Sequence, residues 1–218
     1  MVDTLDSKSG GLCPCRFESD PRYHLRTPLN SYLTFDILHK KIGTSLRLVV
    51  AISGASGVGL GLKFIRYLPQ NIDVHLIVSK NAKIVEQFEQ NRVTLHDSSD
   101  IAASISSGSF RVDATAIIPC SMNTLAKIAC GISDNLVTRV AAVAIKEQKK
   151  LLLAPREMPF SAIALENMQK LAALGVVIAP PVIAYYSEAK TIDEMERFII
   201  GKWYDVLGVE HNLFKRWS

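Results

Sequence analysis

Strand-like apolar segments alternate with amphipathic helical segments through most of this chain. Residues 46–53 are apolar and β-branched, and they are followed directly by residues 57–68, where apolar side chains recur at helical spacing. Because parallel strands need long crossover connections, which are usually helices, this alternation predicts a parallel sheet with helices on both faces. Ligands of such sheets bind beyond the carboxyl ends of the strands, so the residues that follow each strand are the first candidates for a site.

The same patterns divide the rest of the chain. Further strands are predicted at residues 73–79, 114–119, 151–154 and 176–179, and further helices at 82–88, 125–130, 135–147, 161–174 and 191–207. The last helix begins with Thr191 and Glu194 at the spacing of a capping box. The polar stretch at residues 92–100 predicts a loop.

Residues 1–45 differ from the rest, being polar at the start and then interrupted by three prolines. We predict a poorly structured N-terminal extension there and a single domain over residues 46–218. The extension lacks the charged-then-apolar order of a signal peptide and is too acidic for a transit peptide.

Composition narrows the class of protein. The chain is 48% hydrophobic and 21% charged, which predicts a folded core, and no apolar run reaches the roughly 18 residues of a membrane span. The net charge of +4 is spread along the chain, so no nucleic-acid surface is expected. The four cysteines form no disulfide framework and the five histidines lack metal-ligand spacing, which predicts a cytoplasmic protein without a metal site.

Small residues follow the first predicted strand, in the turn Gly54, Ala55, Ser56, Gly57. Such a turn lets a phosphate or a ring approach the backbone N–H groups at a helix N-terminus. The spacing is not that of a dinucleotide fingerprint, and the second strand ends in Ser79 rather than an acidic residue, which disfavours NAD. A tight turn that needs glycine only for packing is the alternative.

A second turn of this kind follows the strand at 114–119, with Ser121, Met122, Asn123 and Thr124. Helix capping is the alternative interpretation of these polar side chains. A nucleophilic Cys120 is disfavoured, because no histidine or acid lies near it in sequence.

Charged and aromatic residues supply the other candidates. Arg156 and Glu157 follow the strand at 151–154, where arginine suits phosphate binding and glutamate suits proton transfer, although an ordinary surface ion pair is the alternative. Arg139 and Lys146, seven residues apart, share one helix face, and solvated charges are the alternative there. The hydroxyl of Tyr186 could reach a phosphate or simply pack.

Taken in order, these motifs resemble the UbiX-type flavin prenyltransferases of the flavoprotein superfamily. The resemblance rests on residues 54–57, 79–80, 106–110, 119–125, 146–147, 155–159, 165–168 and 216–217. It implies a Rossmann-like three-layer α/β fold with a mainly parallel sheet. It also implies transfer of a dimethylallyl group from dimethylallyl phosphate to N5 and C6 of reduced FMN, without a metal. The product, prenylated FMN, would serve a UbiD-type decarboxylase, and the chain would assemble as a homo-oligomer, typically a dodecamer.

The resemblance also implies roles for individual residues. The residues expected to contact FMN are Gly54, Ala55, Ser56, Ser79, Ser121, Met122, Asn123, Thr124 and Arg156. The residues expected to bind the prenyl phosphate are Arg139, Lys146, Tyr186 and Lys202, some of them from a neighbouring subunit. Trp217 is expected to shape the prenyl pocket. The residues expected to take part in catalysis are Glu157, Lys146, Ser56 and Glu89.

Two other functions stay open on the sequence alone. An FMN-dependent cysteine decarboxylase of the same superfamily would show an early histidine acting as base, and none stands near Ser56. A non-catalytic FMN-binding subunit would have no need of the cluster formed by Lys146, Arg156 and Glu157.

Overall fold

Six parallel strands form one sheet at the centre of the computed structural model, which describes residues 45–53, 56–78 and 93–216. Their order across the sheet is β3-β2-β1-β4-β5-β6, and every neighbouring pair is parallel. The strands are β1 Arg47–Ile52, β2 Asp73–Val78, β3 Val93–Asp97, β4 Ala114–Cys120, β5 Lys150–Pro155 and β6 Val177–Ile178. The Rossmann-like arrangement expected from the sequence is therefore confirmed.

Five α-helices are described, and they cover both faces of the sheet. They are α1 Val58–Tyr67, α2 Met122–Ala129, α3 Leu136–Lys146, α4 Ala162–Ala173 and α5 Ile192–Leu207. On one face α1 and α5 pack over a core that contains Phe64 and Trp203. On the other face α2 and α3 pack over a core that contains Leu125 and Val140, and Leu171 of α4 joins it. The sheet therefore separates α3 from α5.

The helix α1 lies unusually close to the centre of the sheet. A Cβ atom at Gly61 would clash with the carbonyl oxygen of Ile118 in β4 and would lie 3.3 Å from the Cδ1 of Ile52. Glycine at this position therefore brings α1, and the turn in front of it, directly against β1 and β4.

The prediction of a loop at residues 92–100 was wrong, because Val93–Asp97 forms β3. Among the described strands it lies at the sheet edge and pairs with β2 alone, with Val74 opposite Val93. Because an edge strand has one neighbour and is half-exposed, it tolerates polar residues that a central strand would exclude. Contact with the sheet is reinforced by His96, whose Nε2 lies 2.9 Å from the Nδ1 of His75 in β2.

The other predicted elements agree with the structure within a few residues. The helix predicted from residue 125 begins earlier, at Met122, because Ser121 caps it. The capping box of Thr191 and Glu194 is formed as predicted. The predicted extension at 1–45, apart from Ser45, and the helix predicted at 82–88 lie outside the described residues. None of the described helices has the length and apolar character needed to cross a membrane.

Candidate active site at the switch point of the sheet

The chain leaves β1 toward β2 on one side and continues from β4 toward β5 on the other, so β1 and β4 flank the topological switch point. Ligands of open α/β sheets bind at this point, beyond the carboxyl ends of the strands. The described residues that border the two turns singled out by the sequence lie here side by side. The hydroxyl of Ser53 donates to the carbonyl oxygen of Pro119 at 3.3 Å and accepts from the backbone N–H of Ser121 at 3.3 Å. The end of β1 is thus joined to the end of β4 and to the turn that follows it, forming one surface.

The N-terminus of α1 faces this surface without a side-chain cap. Gly57 is the N-cap residue, with a φ of 101° that favours glycine, and it has no side chain to accept a hydrogen bond. The other described α-helices are each capped by a side chain, from Ser121, Asn135, Ser161 and Thr191. The first N–H groups of a helix need a partner, and a phosphate group supplies one. Ser56 is exposed beside them.

In the second turn, one serine already has a structural role. The hydroxyl oxygen of Ser121 accepts from the backbone N–H of Thr124 at 3.2 Å, and the hydroxyl donates to the Oγ1 of Thr124 at 2.9 Å. Capping is therefore confirmed for Ser121, while Asn123 is exposed. Met122 packs in part against the core below. The turn offers a ligand the amide of Asn123 directly.

Cys120 belongs to the core at the base of this turn. Its side chain is 1% exposed, and burial raises the pKa of its thiol to about 12. A thiol with that pKa is not ionised near neutral pH, and the thiolate is the nucleophilic form. The structure agrees with the sequence in giving Cys120 no nucleophilic role.

Arg156 and Glu157 extend the surface beyond the carboxyl end of β5, the strand next to β4. Both side chains are exposed, and within the described residues no ion pair joins them. Glu157 accepts a hydrogen bond from the N–H of Met158 at 3.2 Å. The surface ion pair considered as an alternative is therefore not formed, and both groups face solvent at the ligand-binding edge.

Arg139 and Lys146 do not belong to the surface at the switch point. Both are on α3, across the sheet from α5, and the Nε of Arg139 donates to the carbonyl oxygen of Ser106 at 3.1 Å. Lys146 is the last residue of α3, and β5 begins at Lys150, so Lys146 lies at the amino edge of the sheet. Its ammonium group is 2.9 Å from Glu147. One copy of the chain does not bring Lys146 to the switch point.

Tyr186 and Lys202 lie together on the α5 side of the sheet. The ring of Tyr186 packs edge-on against Phe198, with centroids 5.6 Å apart, and Lys202 follows Phe198 by one helical turn. Phe198 also contacts Phe214 at 4.8 Å. The predicted prenyl-phosphate residues therefore form two groups, one on each face of the sheet.

The sequence reasoning missed the neighbours of Tyr186 and Lys202. Phe198, Lys202 and Asp205 recur at the i, i+4 and i+7 spacing of one helix face, and that spacing was the available signal. The predicted site residues Gly54, Ala55, Ser79, Glu89 and Trp217 lie outside the described residues. Within the described ranges, no three histidine, cysteine or acidic side chains are grouped as metal ligands would be.

Many large apolar side chains are exposed in α4 and in the segment after β6. Leu171 is the one residue of α4 that is buried, and Ile163 is 72% exposed. Other large apolar side chains exposed in α4 or in the chain segments before and after it are Met158, Leu165, Leu174, Val182, Ile183, Tyr185, Tyr186 and Ile192. Monomeric proteins rarely expose so many large apolar side chains, and such surfaces mark protein interfaces.

A three-layer α/β sheet with an uncapped helix N-terminus at its switch point is an arrangement that suits a phosphorylated ligand. The Flavoprotein family model matches residues 38–203. The flavin prenyltransferase UbiX of Helicobacter pylori is 46% identical over 185 residues, which cover 79% of this chain and 99% of that protein. The chain therefore belongs to the Flavoprotein family, and within it to the UbiX-type flavin prenyltransferases.

Solved structures agree with this assignment. A dodecameric FMN-dependent UbiX-like decarboxylase from Escherichia coli matches with a TM-score of 0.72 and 41% identity, over 79% of this chain and all of that one. The structure of AnUbiX in complex with FMN and dimethylallyl pyrophosphate also matches with a TM-score of 0.72, at 38% identity, over 79% of this chain and 97% of that one.

Proposed function

We propose that this protein transfers a dimethylallyl group from dimethylallyl phosphate to N5 and C6 of reduced FMN. The observation that carries the proposal is the uncapped N-terminus of α1, which lies beside the Ser121 turn at the switch point. In a chain 46% identical to a curated flavin prenyltransferase, that surface fits the phosphate of FMN. The prenylated flavin is the product, and inorganic phosphate is the leaving group.

The charge and the exposed polar groups of the described residues support a flavin phosphate at this edge. The N-terminus of α1 carries partial positive charge and has no acidic residue in its first turn. Ser56 and Asn123 offer exposed polar groups on either side, and Arg156 adds a cation at the same edge. Met122 and Thr124 form the base of the second turn. Gly54, Ala55 and Ser79 are included from the sequence alone.

The donor phosphate would be held by residues from two copies of the chain. Tyr186 and Lys202 lie on the α5 face, whereas Arg139 and Lys146 lie on α3, across the sheet. Association of copies through the exposed apolar surface around α4 would bring α3 of one copy to the switch point of another. We therefore include a homo-oligomer in the proposal, and the dodecamer of the Escherichia coli relative supports it.

The chain's own residues account for the main demands of the reaction. Breaking the C–O bond of the donor places negative charge on the departing phosphate, and the cations of Arg139, Lys146 and Lys202 would stabilise that charge. Reduced FMN supplies the two atoms that form the new bonds to carbon. Glu157, exposed at the same edge, would move protons to and from the reacting groups. Ser56 and Glu89 are proposed to assist it, and Trp217 to shape the prenyl pocket.

The partner and the location are further parts of the proposal. The product would serve a UbiD-type decarboxylase, since prenylated FMN is useful only to an enzyme that binds it. A cytoplasmic location is supported by Cys120 and Cys130, the two cysteines in the described part of the chain, which are both free thiols.

One structural observation argues against cysteine decarboxylation. The histidine nearest to Ser56 in sequence on its C-terminal side is His75, and it lies within β2 rather than at the carboxyl edge. Its ring is 7% exposed and packs between His96 and Phe110. His75 is therefore not placed to act as a base at the switch point.

The test is anaerobic incubation of the purified protein with reduced FMN and dimethylallyl phosphate, followed by mass spectrometry of the extracted flavin. The proposal predicts a flavin heavier by one C5H8 unit, formed only when the donor is present. Bound but unmodified FMN, under conditions where the donor is saturating, would refute it.

A further inference from the structure

The chain after α5 turns back and packs along the helix that carries Lys202. Gly208 ends α5 with a φ of 80°, and the N–H of Val209 donates to the carbonyl oxygen of Tyr204 at 2.9 Å. The following residues, 209–216, are called the C-terminal segment here. Its Phe214 ring lies against Gly201 and Phe198 of α5. The segment therefore borders the same helix face as Lys202.

A single carboxylate on α5 holds this segment. The Oδ1 of Asp205 accepts from the Nη2 of Arg216 at 2.6 Å and from the Nε2 of His211 at 3.2 Å. The Nδ1 of His211 accepts from the backbone N–H of Leu213 at 3.1 Å, so the ring proton that points to Asp205 is on Nε2. Two points of the segment, five residues apart, are thus tied to one side chain.

The same carboxylate reaches Lys202. The Oδ2 of Asp205 lies 3.9 Å from the ammonium group of Lys202, one turn away on α5. Burial acts to raise the pKa of Asp205, but hydrogen bonds from Arg216 and His211 outweigh it and lower the pKa below its usual value. The group is therefore an anion at neutral pH, and it faces three basic side chains at once.

Aromatic contacts connect the held segment to Tyr186. The rings of Tyr186, Phe198 and Phe214 pack in succession, with centroids 5.6 and 4.8 Å apart. His211 continues the row, 5.2 Å from Phe214. Movement of the segment away from Asp205 would therefore remove the Phe214 ring from Phe198, the residue against which Tyr186 packs.

We propose that Asp205 is a positioning residue for the prenyl-donor site, and this inference rests on the proposed function. It acts through Lys202, whose ammonium group it orients, and through His211 and Arg216, which hold Phe214 in the row of rings beside Tyr186. Asp205 touches no reacting atom. It sets the affinity for the donor and leaves the affinity for FMN unaffected.

The test compares Asp205→Asn with Asp193→Asn in the full-length protein. Asp193 is the matched control, because it is also an α5 carboxylate with two basic partners, Lys63 and Arg197, but it lies at the start of the helix, three turns from Asp205. Loss of a charge-assisted contact predicts a rise of about tenfold in the KM for dimethylallyl phosphate in Asp205→Asn. The kcat and the FMN dissociation constant should stay within about twofold of wild type, and Asp193→Asn should leave the donor KM unchanged.

Two further variants separate positioning from general destabilisation. Asp205→Glu keeps the negative charge and should recover most of the donor affinity. Gly201→Ala removes no charge but places a Cβ atom 2.5 Å from the ring of Phe214, so it should displace the ring and also raise the donor KM. Thermal unfolding of each variant is measured alongside. A donor KM that follows the melting temperature, rather than the charge at position 205 and the position of the Phe214 ring, would show that Asp205 acts only through the overall stability of the fold.

Limited trypsin digestion reports on the segment without using prenyl transfer. Once the C-terminal segment is released from position 205, cleavage after Arg216 should be faster in Asp205→Asn but not in Asp193→Asn. Mass spectrometry detects this cleavage as the loss of the last two residues. Equal donor KM values for the two asparagine variants, or a fall in kcat alone, would overturn the proposal. A wild-type protein that forms no prenylated flavin would instead refute the proposed function, and the two failures are thereby distinguished.

Discussion

Two glycines in α1 give opposite predictions for the same substitution. Gly59 and Gly61 lie two residues apart on one helix, and alanine is favoured over glycine within a helix by about 1 kcal/mol. At Gly59 a Cβ atom would meet nothing within 4 Å, whereas at Gly61 it would clash with the carbonyl oxygen of Ile118. The substitution therefore gains helix propensity at both positions and adds a clash at only one.

The magnitudes follow from this difference. Gly59→Ala should stabilise the protein by about 0.5–1 kcal/mol, which raises the melting temperature by about 2–3 °C for a domain of this size. In Gly61→Ala the clashing atom is backbone of the central strand β4 and cannot rotate away. Overpacking of this kind costs about 1–3 kcal/mol before α1 shifts, so we expect a net loss and a fall of several degrees in melting temperature.

The assay is thermal unfolding of the FMN-free protein, with all variants at the same concentration so that association affects them equally. FMN titration of Gly61→Ala should also show weaker binding, because α1 carries the turn at the switch point. A Gly61→Ala protein that melts at or above the wild-type temperature would refute the close packing of α1 on β4.

Three more outcomes are expected. Glu157→Gln should bind FMN normally but slow prenyl transfer by about 10²–10⁴-fold, and an unchanged rate in single-turnover experiments would remove Glu157 from proton transfer. Lys146→Ala should raise the donor concentration needed for half-maximal rate by about tenfold, and an unchanged requirement would place Lys146 outside the site. Burial lowers the pKa of His75, so the unfolded chain binds more protons than the folded one below the ordinary value of 6.5. The stability of the fold should therefore fall as the pH is lowered from about 7 to 5. Thermal melts of His75→Leu should show a shallower fall, and an equally steep fall would assign the pH dependence to another group.

The central layers of the fold could be predicted because each element has a local cause. The strands β1 and β4 are largely apolar runs, as expected of strands buried on both faces. The start of the helix at 191–207 is marked by the capping box of Thr191 and Glu194. Local spacing was sufficient for these elements.

The edge strand β3 could not be predicted in this way. Its sequence, Val93–Asp97, contains a threonine, a histidine and an aspartate in five residues, and its stability depends on pairing with β2. That pairing is a tertiary interaction between segments about 20 residues apart, so neither periodicity nor composition reveals it.

The candidate site, like the fold, could be predicted from local sequence only in part. The turns after β1 and β4 were found because small polar residues directly follow buried strands, and the fold brings neighbouring carboxyl ends together. The role of Asp205 depends on how the C-terminal segment folds back, which no local pattern reports. The separation of Lys146 from Lys202 depends on which face of the sheet each helix covers, and it appears only in three dimensions.

The central claim is prenyl transfer at a site shared between copies, and one measurement tests it most directly. Lys146→Ala and Lys202→Ala chains, carrying different tags, are co-expressed, purified as mixed assemblies and assayed for prenylated FMN by mass spectrometry. Each variant alone should be strongly impaired at limiting donor. In a random mixture about a quarter of the sites combine the intact Lys202 of one copy with the intact Lys146 of another, so about a quarter of the wild-type rate should return. No recovery would contradict a shared site, and no product from wild type would contradict prenyl transfer itself.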